Sequence, residues 1–130
     1  MAMSTTHPPA AADQDQAPPD IETMRETVSR LLDPDAVPCA LPPSGAELET
    51  VTQTVRGHLE LIIPDVEEAA RKLNPGSVVR YGALGVVWEA RSRLAAEPTR
   101  RYGGPVGHAR RLARVLNALC DHYEQFGGQR

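Results

Sequence analysis

The stretch RGHLELIIPDVEEAARKL, Arg56 to Leu73, decides how this chain folds. Leu59, Ile62, Val66, Ala69 and Leu73 recur at spacings of three and four, the period of one helix face, and Leu48, Val51 and Val55 carry the same stripe upstream. The spacing predicts one long helix of roughly 40 Å at about 1.5 Å per residue. Pro64 sits inside it and leaves the carbonyl of Glu60 without its usual amide partner. Because the stripe keeps its phase across the proline, a kink is expected rather than a break. Ser44 and Glu47 have the spacing of a capping box at its start, and Asn74-Pro75-Gly76 ends it.

Working outward, the segment before it reads as a short amphipathic helix. Asp20 follows two prolines as an N-cap, and Ile21, Met24, Val28, Leu31 and Leu32 share a face. The intervening DPDAVPCALPP, Asp33 to Pro43, carries too many prolines to continue a helix and reads as a stiff connector. After the long helix, Asn74 or Ser77 caps a third, about Val78 to Leu94. Val79, Ala83, Val86, Val87, Ala90 and Leu94 form one side of it, while Tyr81, Leu84 and Trp88 lie on nearly the opposite side. A helix apolar on two sides is either central in its own bundle or half-buried against a partner.

Glu97 to Gly104 is a turn-rich loop, and Pro105 is placed to open a fourth helix. Its stretch HARRLARVLNALCDHYE, His108 to Glu124, belongs to an inward stripe of Val106, Ala109, Leu112, Ala113, Leu116, Leu119, Cys120 and Tyr123, and Gly127-Gly128 ends it. No period-two strand pattern of any length is present, so the expected class is all-α: a four-helix bundle with a kinked long second helix. Residues 1–19 lack apolar periodicity and read as a disordered tail ahead of a helical domain over 20–130. Gly57, Gly82 and Gly85 fall inside predicted helices, each at a cost of about 1 kcal/mol relative to alanine, for which close helix approach is the usual compensation.

Composition limits the function classes. There is no basic and apolar leader and no run of about eighteen apolar residues, which points to a cytoplasmic chain with no membrane span. Cys39 and Cys120 are far apart and suit free thiols better than a disulfide framework. The formal charge of −3 is unevenly spread, with residues 1–74 at net −8 and residues 75–130 at net +5. Thirteen of the fourteen basic residues are arginine, the side chain suited to gripping carboxylate, sulfate or phosphate in paired hydrogen bonds. Nucleic acid is not an expected partner, since the net charge is negative, lysine is nearly absent and no recognition helix or stacking platform is apparent.

No nucleophile elbow, metal-spaced ligand set, phosphate loop or cofactor fingerprint occurs, so no catalytic residue stands out and no cofactor is expected. Three groups still merit attention. His58 and Glu60 lie beside the Pro64 position as candidates for acid-base work, although residues two apart point about 200° from one another, which favours a histidine bonded to a neighbouring polar group. Arg110, Arg111 and Arg114, with Arg100 and Arg101 upstream, make a basic patch for an anion or for the acidic Asp65, Glu67 and Glu68 segment. Tyr81, Leu84 and Trp88 are the candidate partner interface. Metal binding is not expected, because His108 and His122 share a helix face but stand about 21 Å apart along it.

GHLELIIPDVE (Gly57–Glu67), ALGVVWEARSRL (Ala83–Leu94) and HARRLARVLNALCDHYE, in this order, resemble an uncharacterised family of small actinomycete (Streptomyces-type) proteins grouped under natural-product biosynthesis. The likeness spans roughly Ser44 to Glu124, and Trp88 stands where the pattern leads one to expect a smaller residue. The resemblance implies a helical core, a variable tail and a role in specialised metabolism, with no catalytic residues to carry over. It suggests a small accessory subunit joined to a larger biosynthetic enzyme as a hetero-oligomer, in settings that include azabicycle or aziridine formation. The alternatives are a stand-alone small enzyme acting on an anionic intermediate at the Pro64 position, and a DNA-binding regulator.

Overall fold

A computed structural model describes residues 18–32, 45–97 and 103–128. They form four helices, α1 (Ile21–Leu32), α2 (Gly45–Arg71), α3 (Val78–Ala95) and α4 (Gly104–Gly128), and no strand occurs among the described residues. The class is all-α and the helices pack as a bundle. Residues 1–17 of the expected 1–19 tail, the Asp33–Pro43 connector with Cys39, the Ser44 half of the capping box, and Arg100 with Arg101 lie outside the described residues.

Pairing is uneven. α2 packs on α4 along the middle of the molecule, α1 and α3 each pack against both, and α1 and α3 make no substantial contact with one another. The α2–α4 pair is therefore a spine covered from two sides. Its contacts are apolar side chains brought into line by the three-and-four spacing: Val55, Leu59, Ile62 and Val66 from α2 meet Leu112, Leu116 and Leu119 from α4, all fully buried. Met24, Val28 and Leu31 of α1 close one side, and Ala83, Val87 and Ala90 of α3 close the other.

The spine buries more than one stripe. Ile63 on α2, with Val115 and His108 on α4, are buried outside the predicted stripes, as is Thr27 on α1. A helix touching three neighbours needs a wider covered arc than an amphipathic surface helix. α2 runs 27 residues through Pro64 as one element, and the proline itself is exposed.

Caps and latches set the helix ends. Asp20 caps α1, its carboxylate accepting from the Thr23 amide at 3.1 Å and the Thr23 hydroxyl at 2.8 Å. Those bonds to the ionised form hold the Asp20 carboxyl below its ordinary value. α2 tightens at its end, where the amides of Lys72 and Leu73 donate to the carbonyls of Ala69 and Ala70. The carbonyls beyond are capped by Arg80, which donates to those of Arg71 and Leu73 at 3.2 and 3.1 Å. Of the two candidate caps for α3, Ser77 takes the position, its hydroxyl accepting from the Arg80 amide at 3.2 Å, and Asn74 instead shapes the turn by accepting from the Gly76 amide. At the start of α4, Gly103 and Gly104 adopt φ of 88° and 62°, a left-handed conformation that glycine enters without steric cost, and Pro105 follows within the helix. Among the described residues no helix is long and apolar enough to cross a membrane.

Candidate functional site

The outer side of α3 is the part of the molecule whose chemistry least resembles an ordinary surface. Val78, Tyr81 and Trp88 are 84%, 83% and 72% exposed. With Gly82, Gly85, Glu89, Ser92 and Ala96 they fall within about 60° of a line through Gly85, on the side opposite the buried Ala83, Val87 and Ala90. Leu84 does not share that exposure: it is half-buried and packs on the core. It lies about 40–60° round the helix from Tyr81 and Trp88, enough to turn it towards the spine. The predicted trio therefore resolves into two exposed aromatics and one partly buried leucine.

The glycines also differ from expectation. A Cβ built on Gly57, Gly82 or Gly85 would meet nothing within 4 Å, so no close helix approach among the described residues compensates for them. On α3 they leave a bare strip between the aromatics, and an open groove of about 460 Å³ runs along Gly85, Trp88, Glu89, Ser92, Arg93 and Ala96. Glu89 and Arg93 pair at 3.4 Å along the same helix. This face offers two large rings, a flat centre and almost no net charge.

His58 and Glu60 diverge as their spacing requires. Glu60 is exposed, while His58 turns towards α1 and lies 3.3 Å from the Thr27 hydroxyl. That hydroxyl also donates to the Thr23 carbonyl at 3.1 Å, which leaves Thr27 Oγ1 as an acceptor for the tautomer of His58 that carries its proton on Nε2. Burial pushes the His58 pKa below its ordinary value, against a smaller opposing pull from Asp20. The imidazole ties α1 to α2 through Thr27, and Asp20 acts on it through charge.

The three arginines of α4 separate. Arg110 reaches back to cap α1, its Nε donating to the Leu31 carbonyl at 3.0 Å, and Arg114 is exposed one turn on. Arg111, about 100° round from Arg110, joins a different group. That group surrounds His108, a buried side chain at 3% exposure whose pKa is lowered by burial first and then by the charges of Arg111, Arg56 and Arg93, opposed by Glu97. Arg56 caps α3 by donating to the Leu94 carbonyl at 2.8 Å. Arg93 Nε is the one buried side-chain polar atom among the described residues that lacks a hydrogen-bond partner. Cationic side chains from α2, α3 and α4 thus meet around an imidazole at one end of the bundle. Sequence spacing could not show this because the residues come from three elements.

A second groove, about 410 Å³, lies between the last turns of α2 and α4, with Asp65, Glu68, Lys72, Tyr123 and Phe126 on its walls. Burial and the neighbouring Glu68 raise the Asp65 pKa. The acidic segment otherwise serves packing: Glu67 accepts from Arg91 of α3 at 2.7 and 3.1 Å and from Arg71 at 2.9 Å, so its partner is α3 rather than the α4 arginines. These bonds hold its carboxyl down at about 2. His122 stacks on Phe126 with centroids 6.2 Å apart, and among the described residues no trio of His, Cys, Asp or Glu converges as a metal ligand set. Cys120 is free and buried, and burial pushes its thiol up to about 11.

Searches of curated proteins and of solved structures return no match. A family does match, described as Family of unknown function (DUF6415), over residues 22–128, from the first turn of α1 to the end of α4. The four-helix unit with the two-sided α3 is thus the matched region itself, and the chain belongs to the DUF6415 family of unknown function.

Proposed function

We propose that this chain is a protein-interaction subunit that docks through the outer side of α3, and that its partner is a larger enzyme of specialised metabolism. The observation that carries the reading is the exposure of Val78, Tyr81 and Trp88 around two unoccupied glycine positions on a helix whose other side is already buried. Exposed rings with a bare strip between them are poor solvent surface and good docking surface, since aromatic anchors dominate binding energy when a partner desolvates them. The dispersal of His58, Glu60 and the α4 arginines supports a binding role over an acid-base one. The biosynthetic setting comes from the likeness of the Gly57–Glu67, Ala83–Leu94 and His108–Glu124 stretches to the natural-product group, with azabicycle or aziridine pathways among its settings.

Co-expression with each neighbouring biosynthetic gene product, followed by weighing what co-purifies, tests this. A stable hetero-complex that is lost in the Tyr81→Ala/Trp88→Ala double variant and kept in Arg114→Ala is the expected result. A chain that none of those proteins retains would overturn the reading.

A further inference from the structure

We infer that, when no larger partner is present, the outer side of α3 is covered by α3 of a second copy of this chain, antiparallel, across a two-fold axis at Gly85. This rests on the reading of that side as a docking surface and names its occupant in the free protein.

The first support is the cost left unexplained inside one chain. Gly82 and Gly85 are weaker helix formers than alanine, and no atom of the described chain approaches closely enough to make use of the missing side chains. A second helix lying across Gly85 would do so, because bare glycine lets two backbones approach.

The second support is register. Tyr81 and Trp88 are seven residues apart, two helical turns, and Gly85 lies next to their midpoint. An antiparallel pair centred there sets Gly85 on Gly85, brings each Tyr81 against Trp88 of the other copy, and lays each Val78 beside Ser92 of the other copy. The patch is then self-complementary, which a two-fold interface requires. Its two aromatic pairs flank a flat centre and are free to stack offset or edge-on.

Charge chooses the direction. A parallel pair would set Glu89 on Glu89 and Arg93 on Arg93, whereas the antiparallel pair places each Glu89 over the open Gly82 of the other copy. Within each copy Glu89 and Arg93 neutralise one another at 3.4 Å, so the faces do not repel. Opposed helix dipoles favour the same direction.

Size sets the strength. The patch from Val78 to Ala96 is about 27 Å long and one helix face wide, smaller than the roughly 800 Å² per partner of a standard stable interface. A dimer of this size dissociates in the micromolar range and yields its face to a larger partner.

The test is sedimentation equilibrium of the full chain from low to high micromolar concentration, with the emission of Trp88, the chain's single tryptophan, read at each point. The expected result is a mass that rises from 14.1 kDa towards twice that value while the emission moves to the blue in step. Gly85→Leu fits the open space of the single chain and should melt no lower than the parent, yet raise the dissociation constant about tenfold or more. A monomer with red emission throughout overturns the inference. So does a dimer indifferent to Gly85→Leu, or a monomer with blue emission throughout, which would give the face to another segment of the same chain. A monomer that still retains a larger enzyme through Trp88 overturns the second copy alone, and one that retains nothing overturns the docking reading with it.

Discussion

α1 and α3 cover the same spine from opposite sides, and they treat water in opposite ways. α1 has one apolar face, with Met24, Val28 and Leu31 buried, and presents Glu22, Thr23, Glu26 and Arg30 to solvent. α3 buries Ala83, Val87 and Ala90 and then presents Val78, Tyr81 and Trp88 as well. Both are latched by charge. Arg25 ties α1 to Asn117, Asp121 and Glu124 of α4 at 2.7–2.8 Å, and Glu67 ties α3 to α2 through Arg91. What differs is that α1 has nothing further to bury once it is docked. The contrast separates a helix whose composition serves only the fold from one that serves the fold on one side and recognition on the other.

The most damaging change should remove the surface that both helices share. Leu116→Ala, in the fully buried α4 face, is expected to cost about 2–5 kcal/mol and to loosen α1 and α3 together, read by chemical denaturation. Next, Arg25→Ala should release α1 selectively at a cost of about 1–2 kcal/mol, since three acceptors lose a partly covered guanidinium, and amide exchange should rise in α1 and not in α3. Glu67→Gln should do the reverse to α3 at about 1 kcal/mol or less, the range of a pair with one exposed partner. If Arg25→Ala and Glu67→Gln gave the same exchange map, the two covers would not be independent.

Acid should discriminate between the same two helices. Glu67 has its folded pKa depressed to about 2 from an ordinary 4.5, so its contribution is present above 4.5 and is lost as pH falls towards 2. His58 and His108 are also depressed, so the unfolded chain takes up their protons first, and stability declines as pH drops below the ordinary 6.5. Melting temperatures recorded against pH should therefore fall in two stages, and His58→Gln should reduce the first while leaving the second. The smallest expected effect on the fold comes from Trp88→Ala, within about 0.5 kcal/mol of the parent, because the ring is 72% exposed. Stability unchanged and association lost would make the contrast between α1 and α3 sharpest.

Much of this arrangement can be read from the chain. Asp20 after two prolines, the Leu48–Leu73 stripe and the Asn74-Pro75-Gly76 stop each follow from local chemistry, and α1 and α2 begin and end within three residues of those signals. The two-sidedness of α3 is equally legible, because angle round a helix depends on spacing alone. Ile63, Val115 and His108 escape because their burial depends on how many neighbours a helix has, which spacing does not encode. Arg110 and Arg111 look like one patch in sequence and are split by a single 100° step, one towards α1 and the other towards His108. Pairings such as Arg25 with Asn117, or Glu67 with Arg91, become visible only when α1 and α3 are placed on the spine.

Cys120 gives the molecule a clock. Its thiol, held near 11, lies within the electrostatic reach of Arg25, Asp121 and Glu124, and therefore at the seam that α1 covers. In a Cys39→Ser background a thiol reagent can modify the chain only during the intervals when that seam is open. The labelling rate then counts departures of α1. A rate far above that of complete unfolding would mean that α1 lifts while α2, α3 and α4 stay assembled, leaving a three-helix remnant that still displays Trp88.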